Sequence, residues 1–324
     1  MPHILVAGKL HPSGMDLLRT APGVTFDYVE EISETSYAPL IGRADALILR
    51  TQPLSAPTVA QGKRLKIVSR HGVGYDAVDL PSLNDRGIAL AVVGDVNSVS
   101  VAEQSMMLML AAAKRAVRAD RAVRDGDWNW RNRLEAGELS GRRLLILGYG
   151  RIGRSLGRIA AGFDMEVRAH DPFLARQGWP EGPVAPIADL HHGLAWADVV
   201  SVNVPKADRP VLGASELAAM KPAAILVNTA RGGVVDEAAL VAALQAGAIA
   251  AAGLDVFDEE PPAPDNPLFG LDQVILSPHI AGLTAESAGR MALASVQNVL
   301  DFFAGHIDPR LVVNGDQING ARQA

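Results

Sequence analysis

The hydrophobic positions of this chain form short apolar runs, and between them lie segments whose apolar residues recur at helical spacing. In the first part of the chain the runs predict strands at 3–8, 24–29, 45–50, 66–70 and 89–93. In the second part they predict strands at 144–148, 166–171, 199–204, 224–229, 251–256 and 274–278. Strands that alternate with helices are typical of parallel sheets. The pattern therefore predicts an α/β fold with two Rossmann-like or flavodoxin-like parallel-sheet domains.

Two long segments predict helices. A stretch rich in alanine, leucine and methionine predicts one helix over 100–126, because these residues favour helix formation. The polar and aromatic segment 127–141 is expected to be an exposed loop. A last amphipathic helix is predicted at 287–305, and the polar tail after Asn314 is expected to be mobile.

Composition narrows the class of protein. The chain has 324 residues, no cysteine and a net charge of −6. Its longest apolar run, 106–113, is far shorter than the roughly 20 residues that cross a bilayer, and no secretory signal is evident, so we expect a cytoplasmic protein without a membrane partner. The acidic balance argues against nucleic acid as a partner. An anionic small substrate remains compatible with it, because local arginines are enough to bind one.

A glycine-rich turn, GYGRIG at 148–153, follows a predicted strand and opens a helix. Gly148 allows the tight turn, Gly150 lets backbone amides approach a pyrophosphate, and Gly153 permits close packing of helix on strand. Asp171 ends the next predicted strand, where a carboxylate accepts hydrogen bonds from ribose hydroxyls. The alternative is an ordinary glycine-rich turn with a solvated aspartate.

The cofactor expected from this turn is NAD. The Asp171 carboxylate would repel a 2′-phosphate, so NADP is less favoured, although Arg151 and His170 are groups that can meet a phosphate. The predicted domains are an NAD-binding domain at 99–291 and a substrate-binding domain built from 1–98 plus 292–324. We expect a ligand cleft between them, a common place for binding sites.

Three further stretches follow predicted strands, at 228–240, 254–262 and 277–284. Together with the glycine-rich turn they resemble the D-isomer-specific 2-hydroxyacid dehydrogenases, a family that includes phosphoglycerate dehydrogenase, hydroxypyruvate and glyoxylate reductases, and D-lactate dehydrogenase. The similarity extends over nearly the whole chain and includes 69–80 and 97–104. The resemblance implies an NAD-linked enzyme that reduces a small 2-keto acid.

The resemblance implies a catalytic arginine, glutamate and histidine at Arg231, Glu260 and His279. Histidine, which ordinarily titrates near neutral pH, suits the protonation of a carbonyl oxygen, and a neighbouring carboxylate fixes its tautomer. An arginine binds a substrate carboxylate with a fixed fork of donors. Each residue has a structural alternative: a surface arginine, a solvated acidic run, and a satisfied core histidine. The spacing of Glu260 from Asp255 in the family motif selects it among its acidic neighbours.

The resemblance also implies contacts to cofactor and substrate. Cofactor contacts fall on Gly148, Gly150, Arg151, Ile152, Gly153, Asp171, Val204, Pro205, Thr229, Ala230, Asp255 and Gly282. Substrate contacts fall on Arg50, Val73, Gly74, Asn97 and Arg231. Arg50 and Asn97 have the alternative of strand-end or helix-capping residues, and the turn at Val73 and Gly74 that of a simple turn. His71 lies in the same turn without an assigned role.

The candidate substrates are hydroxypyruvate, glyoxylate and 3-phosphohydroxypyruvate. Alternatives on the same fold are a formate or phosphite dehydrogenase and an NADH-dependent corepressor-like binding scaffold; a formate enzyme would be expected to have glutamine at Glu260. The family implies a homodimer through the nucleotide domain, and no appended regulatory domain is expected. The adjacent His191 and His192 diverge on a helix, so no metal site is expected. The segment 201–210 departs from the family at Asn203 and Lys206.

Overall fold

A computed structural model of the protein describes residues 1–321, with side chains through residue 318. The chain forms two compact units. We call Met1–Asn97 with the described part of Leu283–Ala324 the terminal unit, and Ser98–Gly282 the central unit. The second boundary between the units, at Leu283, lies before the last long helix, Ala285–Ala304. The predicted boundary at residue 292 lies inside that helix.

Both units are built on parallel sheets, which confirms the predicted fold class. The terminal unit has the strand order β2-β1-β3-β4-β5, and the central unit has the order β12-β11-β10-β9-β6-β7-β8. The strands are β1 (His3–Ala7), β2 (Thr25–Val29), β3 (Ala46–Leu49), β4 (Ile67–Arg70), β5 (Ala89–Ala91), β6 (Arg143–Leu147), β7 (Glu166–His170), β8 (Ala185–Pro186), β9 (Val199–Val202), β10 (Ile225–Asn228), β11 (Ala251–Leu254) and β12 (Val274–Leu276). Each predicted strand is present within a few residues, and only the two-residue β8 was missed.

Helices connect the strands. They are α1 (Pro12–Thr20), α2 (Glu34–Tyr37), α3 (Ala56–Gln61), α4 (Leu80–Asp85), α5 (Ser98–Ala113), α6 (Ala116–Arg124), α7 (Arg151–Ala161), α8 (Pro172–Gln177), α9 (Leu190–Trp196), α10 (Ala214–Ala218), α11 (Glu237–Gln245), α12 (Ala285–Ala304) and α13 (Gly315–Ala321). Short 3-10 turns occur at Ala38–Arg43, Trp128–Arg133, Pro267–Gly270 and Pro309–Leu311.

The single helix predicted over 100–126 is wrong, because the structure divides it into α5 and α6. Arg115 adopts a left-handed backbone conformation with φ of 53°, which ends α5. The carbonyl of Ala113, at the end of α5, accepts a 2.8 Å hydrogen bond from the Gly137 amide. A partner distant in sequence thus satisfies a helix-terminal carbonyl, and helix propensity alone does not reveal such a break.

Two expected irregular segments contain structure. The predicted loop at 127–141 includes the 3-10 turn Trp128–Arg133. The tail after Asn314, expected to be mobile, forms α13, and residues 322–324 lie outside the described part of the chain.

Asn314 ties the C-terminal segment into the sheet of the terminal unit. Its side chain is fully buried. Its Oδ1 accepts a 2.8 Å hydrogen bond from the Leu90 amide, and its Nδ2 donates to the Ile88 carbonyl at 2.9 Å and to Asn84 Oδ1 at 2.8 Å. Residues from both ends of the sequence therefore complete one core.

Candidate active site

The three candidate catalytic residues follow three neighbouring strands of the central unit. Arg231 comes after β10, Glu260 after β11 and His279 after β12, and these strands are adjacent and parallel. Because carboxyl ends of parallel strands share one edge of a sheet, the three segments lie along that edge, where open α/β sheets bind ligands.

Glu260 and His279 form a direct pair. Glu260 Oε2 lies 2.6 Å from His279 Nδ1, and Glu260 Oε1 accepts a 3.0 Å hydrogen bond from the Phe257 amide. A carboxylate only accepts hydrogen bonds, so Nδ1 of the imidazole carries the proton in this contact. The second ring nitrogen, Nε2, is then the one that can exchange a proton with a substrate.

The backbone around His279 is held in an uncommon conformation by Asp255. His279 has φ of 53°, a region that costs a non-glycine residue roughly 1 kcal/mol or more. The Asp255 carbonyl accepts a 2.8 Å hydrogen bond from the His279 amide. The fully buried Asp255 carboxylate accepts from the amides of Ile280 at 3.0 Å and Ala281 at 2.8 Å and lies 2.5 Å from Ser277 Oγ. This carboxylate fixes the loop that presents the imidazole.

Asn228 shapes the turn that carries Arg231. Asn228 Oδ1 accepts a hydrogen bond from the Ala230 amide at 3.0 Å, and its Nδ2 donates to the Arg231 carbonyl at 3.0 Å. Arg231 Nη1 donates to the Ala230 carbonyl at 2.6 Å. The turn is therefore ordered by a side chain that is itself 3% exposed.

Helix α5 contacts two of these strand ends from within the central unit. Gln104 Nε2 donates to Ser277 Oγ at 3.0 Å, and Ser105 Oγ lies 2.8 Å from Thr229 Oγ1. Ser277 in turn bonds Asp255, so Gln104 is linked to the His279 loop through two side chains.

Sequence interpretation missed Asn228, Ser277, Gln104 and Ser105. An asparagine whose side chain bonds the amide two residues on is a common turn device, so Asn228 carried a detectable local signal. The other three act through partners distant in sequence, for which the chain offers no local pattern.

The glycine-rich turn has room for a dinucleotide. A Cβ on Gly148, whose φ is 88°, would lie 2.7 Å from the Asn203 carbonyl oxygen, and one on Gly153 would clash with the Gly148 carbonyl. A Cβ on Gly150 would meet no atom within 4 Å. Gly150 stands directly before α7, whose first amides lack intrahelical partners. The turn therefore fits the pyrophosphate of a dinucleotide, with Arg151, Ile152 and Gly153 supplying the first amides of the helix.

Asp171 links this turn to the end of β7. Its Oδ2 accepts a 2.9 Å hydrogen bond from the Tyr149 amide, and its Oδ1 accepts one at 2.9 Å from the Leu174 amide at the start of α8. The neighbouring His170 bonds the Ile187 carbonyl through Nδ1 at 2.9 Å. The carboxylate is thus oriented beside the glycine-rich turn.

The remaining candidate cofactor positions follow other strands of the same sheet. Val204 and Pro205 come after β9, and the Val204 side chain lies against Gly148. Thr229 and Ala230 are buried after β10, and Gly282 closes the His279 loop.

The candidate substrate residues other than Arg231 belong to the terminal unit. Arg50 follows β3, the turn with Val73 and Gly74 follows β4, and Asn97 directly precedes α5. Val73 is exposed, at 37%.

His71 lies beside this turn and is buried at 6% exposure. Among the described residues, neither of its ring nitrogens has a hydrogen-bond partner. Burial, together with the nearby charges of Arg50 and Arg70, lowers the pKa of His71 from 6.5 to about 4.

Residues 1–321 contain no group of three or more histidine, cysteine, aspartate or glutamate residues that could hold a metal ion. His191 and His192 lie on α9, and His191 Nε2 is 3.6 Å from Glu216. Within the same residues no helix is long and apolar enough to cross a membrane.

The strand order of the central sheet changes direction at β6, and the glycine-rich turn lies between β6 and α7. Together these features define a dinucleotide-binding α/β protein. Residues 106–281 match the NAD binding domain of the D-isomer specific 2-hydroxyacid dehydrogenases. The chain belongs to this family, as its motifs predicted.

Relatives of known name extend the match beyond that domain. The chain is 37% identical over 323 residues to the glyoxylate reductase of Aeropyrum pernix, with 96% of both proteins covered. It is 35% identical over 305 residues to the D-3-phosphoglycerate dehydrogenase of Archaeoglobus fulgidus, covering 93% of this chain and 57% of that protein. The chain thus spans little more than half the length of that relative.

A solved structure shows a similar fold over most of the chain. It is an NADPH-dependent glyoxylate/hydroxypyruvate reductase from Sinorhizobium meliloti in complex with citrate, 30% identical, with a TM-score of 0.83. The similarity covers 94% of this chain and 95% of that one.

Proposed function

We propose that the protein is an NAD(H)-dependent D-2-hydroxyacid dehydrogenase that reduces a small 2-keto acid. The observation that carries this proposal is the 2.6 Å contact between Glu260 and His279. These residues follow β11 and β12, beside β10, which is followed by Arg231. Bound nicotinamide supplies the hydride. His279 Nε2 gives a proton to the carbonyl oxygen, Glu260 holds the imidazole by Nδ1, and the Arg231 guanidinium binds the substrate carboxylate.

We propose NAD rather than NADP as the preferred cofactor. The support is Asp171, a carboxylate oriented at the end of β7 by the Tyr149 and Leu174 amides. It still has lone pairs for ribose hydroxyls, and its charge opposes a 2′-phosphate. The cofactor contacts are those assigned from the family motifs, with Gly150 and the first amides of α7 at the pyrophosphate.

For the substrate we propose a 2-keto acid with a second polar or anionic group, namely hydroxypyruvate or 3-phosphohydroxypyruvate, with glyoxylate as the smallest candidate. The support is Arg50, a cationic residue that directly follows β3. The backbone amides of Val73 and Gly74 would bind the carboxylate, and Asn97 would contact the remaining polar group.

We further propose a cytoplasmic homodimer that assembles through the central unit. The support is an apolar groove of about 500 Å³ on α5 and α7, lined by Met106, Met107, Leu110, Ala111 and Ile159. The absence of cysteine suits a reducing compartment.

One assay tests the central proposal. Purified protein is mixed with NADH and each keto acid in turn, and the nicotinamide absorbance is followed. We expect oxidation of NADH with at least one of the three candidates, and less with NADPH. Absence of turnover with every keto acid, while NADH still binds, would favour the corepressor-like scaffold.

A further inference from the structure

A four-residue segment, 257–260, touches both the Arg231 turn and the Glu260–His279 pair. Gly232, directly after Arg231, approaches the carbonyl of Phe257 so closely that no side chain fits between them. The next amide, that of Gly233, donates a 2.7 Å hydrogen bond to Asp258 Oδ1. Gly233 has φ of 78°, so the turn depends on a conformation that glycine adopts easily.

Asp258 is itself held by a neighbouring helix. Its amide donates to Glu237 Oε2 at 3.1 Å, and Glu237 Oε1 accepts from Asn266 Nδ2 at 2.8 Å. Glu237 is the first residue of α11, so this chain of contacts ends on regular structure.

The electrostatic surroundings of Asp258 are unfavourable to its charge. Partial desolvation, assisted by the carboxylates of Glu237 and Asp236, raises the pKa of Asp258. The Gly233 amide opposes that shift. The charged neighbours of Asp258 therefore disfavour its carboxylate, and its hydrogen bond to the turn is one of the contacts that favour it.

The other end of the segment holds the imidazole. Glu260 Oε1 accepts a 3.0 Å hydrogen bond from the Phe257 amide, and Glu260 Oε2 lies 2.6 Å from His279 Nδ1. The Phe257 backbone thus contacts the arginine turn through its carbonyl and the glutamate through its amide.

We propose that Asp258 is a positioning residue that fixes the Arg231 turn relative to the Glu260–His279 pair. Nothing in the family motifs assigned it a role. The inference rests on the proposed function, because it concerns the placement of the guanidinium that would bind the substrate carboxylate. Asp258 touches neither substrate nor cofactor in this scheme; it acts through the Gly233 amide.

The expected kinetic signature separates positioning from general stability. Asp258→Ala removes the acceptor, so the Arg231 turn loosens and the KM for the keto acid rises by about tenfold. The KM for NADH stays within about twofold, since the glycine-rich turn lies at another strand and Thr229 and Ala230 are held by Ser105 and Asn228. Asp258→Asn keeps an oxygen of similar reach for the Gly233 amide, so its KM for the keto acid stays close to that of wild type.

The control is Glu259→Ala, which removes the adjacent exposed carboxylate and is expected to leave both KM values unchanged. The four proteins are assayed with NADH and the best keto acid of the panel, and their melting temperatures are compared. If Asp258→Ala does not fold, Asp258→Ser takes its place, because a serine hydroxyl is too short to reach Gly233.

Two results would overturn the inference. One is a keto-acid KM within twofold of wild type in the alanine or serine variant; the other is an asparagine variant impaired as much as alanine. Both require an active wild-type enzyme, so they differ from failure of the proposed function, in which wild type turns over no keto acid.

Discussion

His279 Nδ1 and Glu260 Oε2 lie 2.6 Å apart, although the two residues follow different strands and are separated by 19 positions. The Glu260 carboxylate has a second anchor in the Phe257 amide, and the His279 backbone has one in the Asp255 carbonyl. Each partner is thus held independently of the other. Contacts within the chain therefore orient the pair, and such orientation of a donor favours proton transfer.

Replacing His279→Ala should lower kcat by about 10³-fold, because the proposed proton donor to the carbonyl oxygen is lost. NADH binding, followed by fluorescence titration, should remain within a few-fold of wild type. His192→Ala, at an exposed histidine of the same unit, is the matched control and should behave as wild type. Loss of NADH binding in the His279 variant would assign this residue to the cofactor site instead.

Replacing Glu260→Ala should lower kcat by about 10²-fold, since the imidazole loses the acceptor that fixes its tautomer. Glu260→Gln keeps one oxygen acceptor and should lose less. Single-turnover rates of the two variants, compared at saturating keto acid, check the order. Equal rates in wild type and both variants would exclude a role for this carboxylate.

Replacing Asp171→Ala should raise activity with NADPH relative to NADH by about tenfold or more, because the charge that opposes a 2′-phosphate is removed. Asp171 also caps α8, so some stability is lost, about 1 kcal/mol. Asp189 caps α9 in the same way, and Asp189→Ala therefore controls for the loss of a cap. An unchanged ratio of kcat/KM for the two cofactors in the Asp171 variant would exclude the ribose assignment.

His71 should make the stability of the protein depend on pH. Its pKa is lowered from 6.5 to about 4 by burial and by Arg50 and Arg70, so the unfolded chain binds a proton that the folded protein does not. The free energy of unfolding is therefore undiminished by His71 above the ordinary pKa of histidine, and it falls as the pH drops toward about 4. Between about pH 8 and about pH 5 this amounts to about 2 kcal/mol.

Urea unfolding of wild type and His71→Gln at both pH values measures this contribution. We expect the difference between the two proteins to change by that amount, with the variant showing the weaker pH dependence. Parallel curves would mean that His71 binds protons equally in the folded and unfolded states.

Sequence patterns predicted the strands well because buried parallel strands are nearly continuous apolar runs, as at β9 and β10. They failed at the end of α5, where the Ala113 carbonyl bonds the Gly137 amide and Arg115 turns left-handed, although composition would continue the helix. They also failed at β8, which is two residues long and contains Pro186. In both places the structure depends on a contact with residues distant in sequence, Gly137 for the end of α5 and β7 for β8.

The candidate site likewise contains residues that the sequence predicted and residues that only the structure reveals. The family spacing singled out Glu260 from its acidic neighbours, and the structure places that carboxylate on His279. Asp258, two positions earlier, looked like part of a solvated run, because its bond to Gly233 joins two separate strand ends. The motif singled out the members of the pair, whereas the residues that hold them depend on contacts that only the folded chain reveals.

The burial of Asn314 against Leu90, Ile88 and Asn84 also bears on how the protein is made. The central unit is one uninterrupted stretch of chain, whereas the terminal unit needs residues translated after it. During synthesis β1 to β5 leave the ribosome first, and the whole nucleotide-binding sheet follows before α12 and Asn314 are available to complete the core of the terminal unit. Chaperones that shield exposed strands would therefore meet the N-terminal segment of the nascent chain for the longest time.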